Sequence, residues 1–155
     1  MRRSYPGNII LTLAGFILHL LSCSPGACFD ETESRIKATF YSMETGKPLA
    51  PDSLTLFGIG MDTSRIYDRE LNLKSAEFPL YAEESSCKFI LRINGINDTL
   101  EFRYDSNPHL LSKECGYTFF FTLDTAFYSH NSIDSLSINK KTMTTFNEEN
   151  LRIYY

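Results

Sequence analysis

Cys87-Lys88-Phe89-Ile90-Leu91-Arg92-Ile93, then Asn94-Gly95, then Ile96-Asn97-Asp98-Thr99-Leu100-Glu101-Phe102-Arg103-Tyr104, is the stretch on which the fold turns. Phe89, Leu91 and Ile93 alternate with Lys88 and Arg92, while Leu100, Phe102 and Tyr104 alternate with Glu101, Arg103 and Asp105. Successive side chains of a strand point to opposite faces, so this period of two marks a sheet with one buried and one wet face. Asn94-Gly95-Ile96-Asn97-Asp98 lies between the two runs. Glycine and asparagine accept the positive backbone angles of a tight connection, and the whole stretch therefore predicts a β-hairpin.

The same pattern recurs on both sides. Upstream, Ile36, Ala38 and Phe40 alternate with Arg35, Lys37 and Thr39. Leu54, Leu56 and Phe57 follow Thr45-Gly46-Lys47-Pro48 and Pro51-Asp52, whose glycine and prolines mark turns. Leu71 and Leu73 lead through a bend to Ala76, Phe78 and Leu80. Downstream, Tyr117, Phe119, Phe121 and Leu123 predict a strand, Ile133, Leu136 and Ile138 another, and Leu151, Ile153 and Tyr155 a last one, expected at a sheet edge. No long 3.6-residue apolar pattern interrupts them. About eight short strands separated by turns predict an all-β domain, an antiparallel immunoglobulin-like or transthyretin-like sandwich. We expect it to span residues 35–155.

The N-terminus has a different character. Arg2 and Arg3 precede a thirteen-residue apolar run from Ile9 to Leu21, and Leu20-Leu21-Ser22-Cys23 closes it. A spanning helix needs about 20 apolar residues. A cleaved export signal with a positive n-region and a short apolar core fits this run better, either a lipoprotein signal or, as the alternative, a plain secretory signal cleaved among the small residues of Ser22-Cys23-Ser24-Pro25-Gly26-Ala27. The last four residues resemble the lipobox of bacterial lipoproteins, which implies cleavage after residue 22 and a lipidated (diacylglyceryl and acyl, such as palmitate) Cys23. Residues 23–34 then form a tether. Ser24 behind Cys23 carries no aspartate retention signal, so outer-membrane anchoring is the expectation, on the periplasmic or cell-surface face.

Cleavage after residue 22 removes two of the 15 basic residues and none of the 19 acidic ones, moving the net charge from −4 to −6. Phosphate backbones are bound by basic faces, so nucleic acid is not an expected partner. With Cys23 acylated, Cys28, Cys87 and Cys115 remain, which allows one disulfide and one free thiol. Cys28–Cys115 is the preferred pair, because Cys28 lies just behind the anchor and Cys115 in the turn-like Glu114-Cys115-Gly116; Cys87–Cys115 is the alternative.

Several segments taken together resemble an uncharacterised family of small Bacteroidota-type lipoproteins, classed as a domain of unknown function. They are the lipobox with Cys28, Asp52-Ser53-Leu54-Thr55-Leu56-Phe57-Gly58, Asp98-Thr99-Leu100, Glu114-Cys115-Gly116-Tyr117, and Glu148-Glu149-Asn150-Leu151-Arg152-Ile153-Tyr154. The resemblance implies an outer-membrane lipoprotein with a β domain and no assigned activity, and it favours Cys28 with Cys115. It also bears on four Asp-Ser/Thr-aliphatic tripeptides, which look like the O-glycosylation sequon of exported proteins in that bacterial group. Their acceptors are Ser53, Thr99, Thr125 and Ser135. The same tripeptides also suit ordinary turn-to-strand junctions, where aspartate caps backbone N–H groups.

Catalytic signatures are scarce. The segment after Cys23 holds His109 and His130 and lacks His-Glu-x-x-His, Gly-x-Ser-x-Gly and Cys-x-x-Cys. Gly58-Ile59-Gly60 lacks the third glycine of a dinucleotide fingerprint and is expected to be a bend. No catalytic residue, metal or cofactor is assigned. Asp30-Glu31, Glu83-Glu84 and Glu148-Glu149 are the carboxylate pairs a glycan- or peptide-processing enzyme would use. The favoured expectation is a structural or interaction module that meets an envelope protein or glycan. Phe89, Phe102, Phe119 and Phe121 fall on the inward phase and are expected to pack. Tyr41, Phe120 and Tyr154 fall on the outward phase and are the candidate partner contacts.

Overall fold

The computed structural model describes residues 28–60 and 65–155. The signal segment 1–22, the lipobox and Cys23 lie outside the described residues. Within these, ten strands form: β1 (Arg35–Tyr41), β2 (Leu54–Ile59), β3 (Arg65–Glu70), β4 (Ser75–Pro79), β5 (Ser86–Ile93), β6 (Ile96–Ser112), β7 (Gly116–Tyr128), β8 (Ser135–Ile138), β9 (Thr142–Met143) and β10 (Leu151–Tyr154). They make a four-stranded sheet in the order β4-β1-β10-β8 and a six-stranded sheet in the order β3-β2-β5-β6-β7-β9. The domain is an all-β sandwich of these two sheets.

The hairpin of β5 and β6 is tighter than the five-residue connection expected. Asn94 and Gly95 alone make the turn, with φ of 49° and 90°, and Ile93 already faces Ile96. Two successive positive angles define the turn whose twist matches paired strands, and asparagine-glycine is the sequence that takes them most readily.

Inward residues of the two sheets meet as alternation dictates. Ile36, Ala38 and Phe40 of β1, Phe78 of β4, and Leu151 and Ile153 of β10 face Leu54, Leu56, Phe89, Leu91, Leu100 and Phe102 of the larger sheet, all at 0% exposure. Phe78 joins the layers, its ring 5.2 Å from Phe89 and 5.3 Å from Phe102 in edge-on contact. Such T-shaped pairs add about 0.5–1.5 kcal/mol each beyond the area they bury.

Three features depart from expectation. β10 pairs with β1 in parallel, Phe40 beside Ile153, and lies between β1 and β8 rather than at an edge. Neighbours on both sides pair its backbone, and the facing sheet covers Leu151 and Ile153. β3 and β9 are strands that periodicity did not mark, and both are edges of the larger sheet. Phe119 lies on the inward phase yet is 40% exposed, and Tyr117 on the same phase is 73% exposed. Phe119 borders an open concavity with Thr32–Arg35 and Pro79–Ala82 at the end of the smaller sheet, so its cover there is only partial.

Candidate functional site

Cys28 is bonded to Cys115 across 87 positions of sequence, with Cα atoms 4.8 Å apart. Cys115 sits in the turn between β6 and β7, at the far end of the hairpin. The tether is thereby strapped to the tip of the longest element, and the contact continues: the Thr118 hydroxyl donates to the Thr32 carbonyl at 2.5 Å. Ser34 is buried, with a hydroxyl that has no partner among the described residues. Cys87 keeps its free thiol inside the core. Burial pushes that thiol up to about 12, against the opposing hydrogen bond with Tyr104, so it is protonated at neutral pH and a poor nucleophile.

The three candidate contact residues do not converge. Tyr41 and Tyr154 are cross-strand partners on the outer face of the smaller sheet, with ring centroids 5.5 Å apart. Glu149 organises this face: its carboxylate accepts from the Tyr41 hydroxyl at 3.0 Å and from Arg152 Nε at 2.6 Å. The Arg152 guanidinium lies 5.3 Å from the centre of the Tyr41 ring. Burial would raise the Glu149 carboxyl, but hydrogen bonds from Arg152, Thr39 and Tyr41 outweigh it and leave the group below its ordinary range. Phe120 is elsewhere, on the distal hairpin, stacked on His109 at 4.1 Å. His109 itself stands within β6.

The carboxylate pairs are partly gathered. Glu31 and Glu148 line one groove of about 320 Å³ with Glu33, Glu77, Arg35 and Lys37. Most of its acids already have partners: Arg35 pairs with Glu33, Lys140 with Glu148, and Asn147 donates to Glu77. Glu83 and Glu84 lie apart, in the turn before β5. Among the described residues no group of three or more His, Cys, Asp or Glu is arranged to hold a metal ion, and no helix is long and apolar enough to cross a membrane.

Of the four Asp-Ser/Thr tripeptides, one has an aspartate with a definite structural task. Asp98 is 1% exposed and accepts from the Ser129 hydroxyl and from the backbone N–H groups of Asn131, Ser132 and Ile133 at 2.7–3.1 Å. It holds the loop between β7 and β8 closed. Thr99 beside it is exposed, whereas Ser53, Thr125 and Ser135 are half-buried. A second concavity, of about 310 Å³, went unsuspected: Arg65, Arg69 and Arg92 stand around Thr55 and Phe57 on the outer face of the larger sheet. Only the spacing of β3, itself unmarked by periodicity, could have brought these arginines together.

The chain is thus a disulfide-strapped, two-sheet β domain with a projecting hairpin. The chain belongs to DUF6452, a family of unknown function, which it matches over residues 53–155. The match begins after β1, although β1 supplies the partner for both β4 and β10. No curated protein and no solved structure matches the chain.

Proposed function

We propose that this chain is a lipid-anchored outer-membrane protein whose sandwich serves as an interaction module for an envelope protein or glycan. The observation that carries this reading is the outer face of the smaller sheet. Tyr41, Arg152 and Tyr154 stand there half-exposed, held in place by Glu149. Tyrosine and arginine dominate binding hot spots because each offers a large apolar body with a directional polar end. Strand addition at an edge is the weaker mode. Edge strand β3 carries Arg65, Asp68, Arg69 and Glu70, and edge strand β9 spans only Thr142–Met143, features that discourage pairing with another chain.

Anchoring rests on the Leu20-Leu21-Ser22-Cys23 lipobox, and the Cys28–Cys115 bond is consistent with an oxidising compartment. Among the sequons, exposure favours Thr99 as the glycan acceptor. Mass spectrometry of the chain purified from membranes reads both: the expected result is an acylated N-terminal Cys23 and a hexose-containing adduct on the peptide with Thr99. An unacylated Cys23 sinks the anchoring, and a bare Thr99 sinks the modification.

The contact face is tested by placing a photo-crosslinking amino acid at Tyr154 in intact cells. A discrete adduct that disappears with Arg152→Ala is expected, and no adduct at all overturns the reading. The groove holding Glu31 and Glu148 favours a second reading, an envelope glycan- or peptide-processing enzyme. Loss of cellular function in Glu31→Gln with Glu148→Gln, alongside an unaffected Arg152→Ala, would select it instead.

A further inference from the structure

We infer that the distal hairpin of β6 and β7 is a membrane-facing surface, seated on the zwitterionic lipid interface beside the anchor. This rests on the anchored reading above and adds an orientation to it. Along the hairpin the inward positions form cross-strand pairs: Tyr104 with Leu123, Ser106 with Phe121, Pro108 with Phe119 and Leu110 with Tyr117. Exposure climbs along that series. Leu123 is 0% exposed and Phe121 4%, then Phe119 is 40%, Leu110 51% and Tyr117 73%. The core face therefore continues as an apolar strip that is only partly covered at Phe119, beside Thr32–Arg35 and Pro79–Ala82, and is open at Leu110 and Tyr117.

The disulfide places this strip. Cys115 sits in the turn at its end, and Phe29, next to Cys28, is 93% exposed at the same end. Five residue steps separate Cys28 from Cys23, a reach of at most about 17 Å for extended chain. A lipidated Cys23 thus confines the hairpin tip to the neighbourhood of the headgroups, whatever path the intervening residues take. Tyrosine and other amphipathic rings are favoured at that depth, where one end of the ring is apolar and the other wet.

Charge selects the lipid. Asp30, Glu31, Glu33 and Glu114 outnumber Lys113 and Arg35 around the strap, so an anionic surface would repel it and a zwitterionic one would not. A protein partner on the same strip is the competing occupant. Exposed apolar side chains scattered singly elsewhere need no explanation. Here four of them, Phe29, Leu110, Tyr117 and Phe119, share one end with the tether.

The chain contains no tryptophan, so a single introduced indole reports its own surroundings. The full chain, with its native N-terminus, is reconstituted into phosphatidylcholine vesicles carrying brominated acyl chains. Tyr117→Trp reads the hairpin, and Ile96→Trp, at the opposite end of β6, serves as the control. The expected result is quenching at least threefold stronger at position 117 than at 96, reduced by an added anionic lipid. Removing the strap with Cys28→Ser and Cys115→Ser is expected to narrow the difference. Equal quenching at both positions, or none at 117 in an acylated chain, overturns the orientation while leaving the anchor intact. An unacylated Cys23 overturns the anchor and the orientation together, and mass spectrometry of the same sample separates the two failures. A polypeptide crosslinked at position 117 in cells, with no quenching in vesicles, assigns the strip to a protein and also overturns the inference.

Discussion

Asp98 shows how much one side chain can organise. Its four hydrogen bonds close the loop from Ser129 to Ile133, which leads from the larger sheet to the smaller. Asp98→Ala leaves three backbone N–H groups without an acceptor, one of them on buried Ile133. Unsatisfied buried donors cost about 1–3 kcal/mol each, less where water reaches them, so a loss of about 3 kcal/mol is expected from urea unfolding. A loss below about 0.5 kcal/mol would mean that water replaces the carboxylate. Asn150 plays a matching part on the other side. It is buried, accepts from the Lys37 N–H at 3.0 Å, and donates to the carbonyls of Lys140 and Thr142. Neither role is visible in a sequence, because aspartate and asparagine at turns look alike whether they cap a loop or face solvent.

Elements explain which parts of the fold were legible. β1, β5, β6 and β10 are buried on one face by a neighbouring layer, and their alternation is strict enough to read directly. β3 is an edge strand rich in charge, which protects it against further pairing, and β9 is two residues long, so no apolar period marks either. β7 misleads for another reason. Its register against β6 steps at Asp124, between the Leu123–Tyr104 and Thr125–Arg103 pairs, and the residues packed inward change from Phe121 and Leu123 to Ala126. The tip of the same hairpin carries an inward pattern that is only partly covered, which is why Phe119 reads as core and stands exposed. Alternation reports the phase of a strand but says nothing about where its cover ends. The strap at this tip is expected to matter for stability. Closing an 87-position separation restricts the unfolded chain by about 4.6 kcal/mol in the loop-entropy account, so the oxidised protein should unfold at markedly higher urea than Cys28→Ser with Cys115→Ser. Coincident transitions would place the strap's effect in orientation alone.

At the scale of the whole molecule, the pairing of β1 with β10 closes the structure. Leu151 and Ile153 are fully buried between β1 and β8, and exposing two such side chains costs about 3–6 kcal/mol, a large part of the margin of about 5–15 kcal/mol typical of a domain, before the lost pairing of β1 and β8 is added. Deleting residues 151–155 is therefore expected to abolish the cooperative thermal transition measured by circular dichroism. Retention of a sharp transition would show that the larger sheet folds by itself. The parallel contact also sets an order of events. Ala38 meets Leu151, a partner more than a hundred residues later, so a chain emerging N-terminus first must hold β1 unpaired on that side until β10 arrives. Until β10 is made, β8 too has no neighbour within its sheet, and a nascent chain stalled before it is left with an open sheet for chaperones or proteases to find.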